Sequence, residues 1–152
     1  MGSVKSLLSI DPGTRTGWAE FANGRLVACG TTASPDFHPG PRPDRVVIER
    51  PTVYPHSQVP PNDIVSLAIT AGRLSHALGE VEWILPRQWK GQVPKPKSRR
   101  VADYIIHRRV LARLDDAEAV IYLGGISAVP PTCCDLTDAV GLGLWALGRL
   151  ER

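Results

Sequence analysis

Asn23-Gly24 stands between WAEF, which alternates as a strand, and a returning stretch, RLVACGTT. An Asn-Gly pair tolerates the positive φ values of a two-residue turn, so it commits its flanks to an antiparallel hairpin. Just upstream, SLLSI (residues 6–10) is a short apolar run bounded by turn residues, the pattern of a buried strand. Asp11, Pro12 and Gly13 open the turn DPGTRTG, which leads from that strand into the hairpin. The opening of the chain therefore predicts three antiparallel strands. A sheet begun this way has an apolar face, and later segments must cover it.

Residues 33–45, ASPDFHPGPRPDR, carry four prolines and predict a loop. RVVIE (45–49) reads as a fourth, central strand. A helix is expected to start at Asn62 or Asp63, either of which can cap it, and to stop at Gly79. VEWIL (81–85) predicts a fifth strand, and PRQWKGQVPKPK a loop. Ser98 can cap a helix reaching about Leu114, with Val101, Ile105 and Leu111 facing inward. DDAE (115–118) sets an acid at a cap and a glutamate three residues later, opening a short helix. A last helix is expected from about Asp135 to Leu150. Trp18, Trp83 and Trp145 read as core residues. The order of elements predicts an α/β chain with helices packed on a five-stranded sheet, in one domain spanning residues 1–152.

Composition narrows the function classes. The chain is 43% apolar with mixed charges, and no apolar run approaches the roughly 20 residues that span a bilayer. With no secretory-type segment at the N-terminus, the expectation is a cytoplasmic protein without a membrane partner. Cys29 stands alone and Cys133 and Cys134 are adjacent, a spacing that suits small core residues better than a metal knuckle. The formal charge of +3 is weak, but its distribution is not. Between Arg87 and Arg113 lie nine basic residues and one acid, Asp103, a block suited to a polyanion or to a solvated helix face.

Four acids stand where a sheet protein gathers chemistry. Asp11 ends the first strand, and Glu49 ends VVIE. If those strands are neighbours, both carboxylates meet at one sheet edge, where ligand sites of α/β folds collect. Asp135 and Asp138 lie three apart in the first turn of the last helix, about 5–6 Å from each other on one face. Four ionised carboxylates in one pocket need compensating charge. Magnesium or manganese, which prefer oxygen ligands, can supply it. Two such ions about 4 Å apart activate water and stabilise a leaving oxygen in phosphodiester hydrolysis. No histidine or cysteine nucleophile and no small-molecule cofactor is then required.

SIDPGTRTGWA, VVIERP and DLTDAVGLGLW together resemble the RuvC-type Holliday junction resolvases, especially their compact, phage-like members, over nearly the whole chain. The resemblance implies an RNase H-like fold, a five-stranded mixed sheet flanked by helices. It implies that Asp11, Glu49, Asp135 and Asp138 hold two divalent ions, Mg2+ or Mn2+. It also implies a homodimer that nicks two opposed strands of a four-way DNA junction, leaving 5′-phosphate and 3′-hydroxyl ends. PRQWKG matches the segment that carries a phosphate-contacting lysine, which assigns Lys90 to catalysis; Lys95 or Lys97 is the candidate for a second contact. Tyr54 is the candidate for base stacking near the crossover, with Trp89 another. Arg99 and Arg100 belong to the basic block that would track phosphates. Two departures stand out: the turn DPGTRTG is one residue shorter than the family's pattern, and no helix is expected between the third and fourth strands. Alternative readings are a nuclease of the same fold acting on RNA–DNA hybrid or structured RNA, and a junction-binding module without catalysis. An actin-like sugar kinase, which shares the phosphate-turn signature, would need a second domain.

Overall fold

The computed structural model describes residues 5–13, 15–33, 40–53, 55, 58–91, 99–128 and 135–151. The expected meander is β1 (Ser6–Asp11), β2 (Thr16–Ala22) and β3 (Arg25–Thr32). Asn23 and Gly24 have φ of 50° and 78°, the left-handed values that a hairpin turn of this twist requires. β4 (Arg45–Glu49) and β5 (Glu82–Ile84) extend the sheet on the other side of β1, in the order β3-β2-β1-β4-β5. β1 pairs antiparallel with β2 and parallel with β4, and β4 pairs parallel with β5.

Five helices follow among the described residues: α1 (Pro61–Leu78), α2 (Pro86–Lys90), α3 (Arg99–Leu111), α4 (Asp116–Ser127) and α5 (Asp135–Ala146). Side chains alternate across a strand, so Leu8, Ile10, Val46 and Ile48 face one way and meet Leu74 and Leu78 of α1. Leu7, Phe21 and Val47 face the other way, into a core with Val110, Tyr122, Leu136 and Val140. The result is the mixed sheet flanked by helices that an RNase H-like fold implies.

α5 lies almost on the sheet, and glycine makes that approach possible. A Cβ at Gly143 would sit 2.2 Å from Cε2 of Phe21 and 2.6 Å from Oγ of Ser9. The same Ser9 hydroxyl donates to the Ala139 carbonyl at 2.6 Å, tying β1 to the helix. Gly143→Ala therefore has to push helix from sheet. Its expected cost is about 1–3 kcal/mol, the range for overpacking, read as a lower urea midpoint at unchanged slope.

Several elements differ from the sequence expectation. α1 starts at Pro61, with no side-chain cap from Asn62 or Asp63. Proline presets φ and lacks only an N–H that the first turn would leave unpaired anyway. PRQWK is a helix rather than a loop, because Pro86 opens it and the Leu85 N–H donates to Oε1 of Gln88 at 2.7 Å. Among the described side chains of α3, Ile106 and Val110 are buried, one position off the expected face, and Ile105 and Leu111 are half-buried; the side chain of Val101 lies outside the described residues. Trp83 is 42% exposed, because β5 is an edge strand that buries only Ile84. The last helix ends at Ala146, before Gly148 at φ 72°.

The box at Asp115 and Glu118 forms as expected. The Glu118 N–H donates to Oδ1 of Asp115 at 2.9 Å, and the Asp115 N–H donates to Oε1 of Glu118 at 3.2 Å. Glu118 does more than cap. It is 1% exposed, and it accepts from the Leu26 N–H at 2.7 Å and from the Arg149 guanidinium at 2.7 and 2.8 Å. Leu26 lies beside the irregular register between β2 and β3. Burial pushes the Glu118 carboxyl up, but the guanidinium and the two N–H donors outweigh it and hold the pKa at about 2.

Candidate metal centre

The parallel pairing of β1 and β4 sets two carboxylates side by side. Ile10 is level with Ile48, so the next residue of each strand, Asp11 and Glu49, ends at the same sheet edge. Both follow the alternation of Leu7 and Val47 and therefore project toward the side where α5 packs. α5 reaches that edge with its first turn, because Gly17 of β2 has no side chain to hold it off. A Cβ there would lie 2.0 Å from the Asp135 carbonyl oxygen.

Oxygens of Asp11, Glu49 and Asp138 all lie within 4.8 Å of one another, a group that could hold a metal ion. Asp135 lines the same cleft of about 480 Å³ but lies outside that group of three. Its carboxylate stands against the Asp11-Pro12-Gly13 turn, with Oδ2 3.1 Å from where a Gly13 Cβ would be. Arg50 and Arg87 also line the cleft. Arg50 is not among the residues expected from the sequence, although its place directly after Glu49 is an available signal.

Lys90, the last residue of α2, enters the carboxylate group. Its Nζ lies 2.6 Å from Oδ2 of Asp138 and 3.4 Å from Oε2 of Glu49. Burial works against the ammonium, but Asp138, Glu49 and Asp11 outweigh it and raise the Lys90 pKa above the ordinary lysine value. Burial, then the Glu49 and Asp138 charges, push the Asp11 carboxyl well above its usual range, and Lys90 only partly offsets them. Glu49 is likewise raised by burial, against the opposing pull of Lys90. One ammonium thus leaves the three acids under-compensated. An all-oxygen donor set with residual negative charge suits a hard divalent cation.

Trp89 is corrected by the structure. Expected as a stacking surface for bases, it is 1% exposed, with its ring in the core beneath α5. Its indole N–H donates to Oε2 of Glu49 at 2.7 Å. Tyr54, Lys95 and Lys97 lie outside the described residues, as do the side chains of Arg99 and Arg100. Arg109 of the same basic block donates from Nη1 to the Lys90 carbonyl at 3.2 Å, so one of its charges serves to anchor α2. No helix among the described residues is long and apolar enough to cross a membrane.

No family model matches the chain, and no curated protein matches it. Solved structures of RuvC from Thermus thermophilus are similar to it. One, described as RuvC in complex with Holliday junction substrate, is 17% identical, with a TM-score of 0.43, over 96% of this chain and 98% of that one. A second RuvC structure from the same organism gives 17% identity and a TM-score of 0.41 over the same shares.

Proposed function

We propose that this chain is a divalent-metal-dependent endonuclease that resolves four-way DNA junctions by paired nicks. The observation that carries the proposal is the meeting of Asp11, Glu49 and Asp138 within 4.8 Å, with the Lys90 ammonium beside them, in a cleft rimmed by Arg50 and Arg87. Each carboxylate comes from a separate segment of the chain, and nothing in sheet packing requires three of them to be pressed together. Asp135, in the same cleft, is the proposed fourth ligand.

Two Mg2+ or Mn2+ ions held by these carboxylates would supply an activated water and charge compensation at the leaving oxygen. The chain's own residues do the rest. The rigid strand ends fix Asp11 and Glu49, and the first turn of α5 brings Asp138 to them. Lys90 offers a charge-assisted contact to a phosphoryl oxygen as negative charge builds at phosphorus. Arg50 and Arg87 at the rim, together with Lys95 or Lys97, Arg99 and Arg100, contribute sequence-independent attraction to the backbone. Tyr54 is the proposed stacking side chain at the crossover.

The substrate's two-fold symmetry calls for a homodimer with one site on each opposed strand. α1 presents Val65 (55% exposed), Ala68, Ile69 (60% exposed) and Gly72 at helical spacing on its outer side. This uncharged stripe is the surface we assign to the second copy. The parent should sediment as a dimer and Ile69→Glu as a monomer with an unchanged far-ultraviolet spectrum.

The decisive assay compares labelled four-way junction, linear duplex and RNA–DNA hybrid, with Mg2+, Mn2+ or EDTA. Symmetric paired nicks on the junction alone, lost in EDTA, are expected. Cleavage of hybrid with the junction left intact would move the assignment to a ribonuclease of the same fold. Binding without cleavage in either metal would leave a junction-binding module. Lys90→Ala should cut about 10²–10³-fold more slowly, the effect of removing one transition-state donor, with little loss of junction binding. A parental rate would remove Lys90 from the mechanism.

A further inference from the structure

Trp89 is buried, not exposed as a stacking residue would be, and it points a polar atom at the acid group. Its indole N–H donates to Oε2 of Glu49 at 2.7 Å, the same oxygen that Lys90 approaches at 3.4 Å. The ring that carries this N–H has almost no freedom. It is 1% exposed and packs on the bare backbone of α5, where a Cβ at Gly141 would come within 2.6 Å of Trp89 Cζ3. Val110 of α3 borders the same spot.

Both ends of α2 are also fixed. The Leu85 N–H donates to Gln88 at the start, and Arg109 donates to the Lys90 carbonyl at the end. A five-residue helix thus delivers two consecutive side chains to the acid group, one from within the core and one along the cleft. Glu49 cannot swing away from Asp11 and Asp138 without leaving the indole N–H buried and unpaired.

We infer that Trp89 is a positioning residue for the metal centre, whose indole N–H holds the Glu49 carboxylate in the orientation that binds a divalent cation. The inference rests on the reading of Asp11, Glu49 and Asp138 as metal ligands, and deepens it. Hydrogen-bond partners of ligating carboxylates typically set metal affinity by about 10–100-fold.

The test is Mn2+ binding, measured by the electron paramagnetic resonance signal of free Mn2+. It compares the parent, Trp89→Phe and Trp89→benzothienylalanine, which keeps the shape of the indole but lacks its N–H. Thermal unfolding in EDTA accompanies each titration. Both variants should bind Mn2+ about 10–100-fold more weakly, and the Mn2+ concentration for half-maximal junction cleavage should rise by the same factor. At saturating Mn2+ the cleavage rate should return close to the parental one, because the packing and the ligands themselves are intact. A general packing defect would lower that rate without recovery. Should Trp89→Phe unfold, the isosteric replacement decides alone. Parental Mn2+ affinity in the N–H-free protein overturns the role of Trp89 and leaves the metal centre standing. A parent that binds no Mn2+ overturns the metal centre itself, and this inference with it.

Discussion

Asp11→Asn is expected to abolish junction cleavage and at the same time to stabilise the metal-free protein. The first effect follows, on the proposed function, from replacing one of three converging carboxylates by a neutral, weaker-donating amide. A polarising cation contributes several kcal/mol of transition-state stabilisation, so losing it should slow cleavage by at least about 10³-fold. The second effect follows from the cost of that convergence. Burial and the Glu49 and Asp138 charges raise the Asp11 pKa well above its usual value in the folded state. Between its unfolded and folded pKa values the native state binds more protons than the unfolded state, so stability falls as pH rises through that window. Asparagine carries no charge to repel its neighbours and escapes the loss. In EDTA at neutral pH, Asp11→Asn should therefore melt above the parent, and near pH 3 the difference should vanish. Added Mn2+ should raise the melting temperature of the parent much more than that of the variant. A variant less stable than the parent in EDTA would show that the acids are held by ordinary structural bonds.

Glu118→Ala should be strongly destabilising although it lies far from the cleft. The carboxylate is 1% exposed and links three parts of the chain: the β3 backbone at Leu26, the cap of α4 at Asp115, and Arg149 after α5. Truncation leaves the Arg149 charge and the Leu26 N–H without their partner, and breaking such a buried pair costs about 3–5 kcal/mol. The pH dependence gives an independent check. A carboxyl lowered from 4.5 to about 2 contributes stability above its unfolded pKa, and that stability is lost as pH falls through about 2. At about 1.4 kcal/mol per unit the contribution is on the order of 3 kcal/mol. Chemical denaturation at neutral pH and at pH 2 should show parent and Glu118→Gln far apart in the first case and close together in the second. Equal midpoints at neutral pH would refute the linking role.

The difference between these two residues shows what the sequence could disclose. Asp11 was readable because its place is a local fact: an apolar strand stops at an acid, and a Pro-Gly turn follows. Glu49 and the Asp135–Asp138 pair were readable for the same reason, at a strand end and a helix start. Glu118 was readable only as half of a capping box. Its bonds to Leu26 and Arg149 join residues far apart in the chain, and such pairing leaves no local signature. Trp89 departs from its expected place for a similar reason. It follows Pro86, Arg87 and Gln88 in a polar segment, yet α2 turns its ring inward against Gly141. The described part of α3 turns one residue away from the expected face because it packs against Trp89 and α5, which take Val110 and Ile106 inward.

The most direct measurement is anomalous scattering from crystals of the protein soaked in Mn2+. A manganese peak is expected within about 2.5 Å of carboxylate oxygens from Asp11, Glu49 and Asp138 together, in the cleft beside Lys90. A map from manganese-saturated crystals with no peak among those three side chains, or with manganese bound only elsewhere, would contradict it.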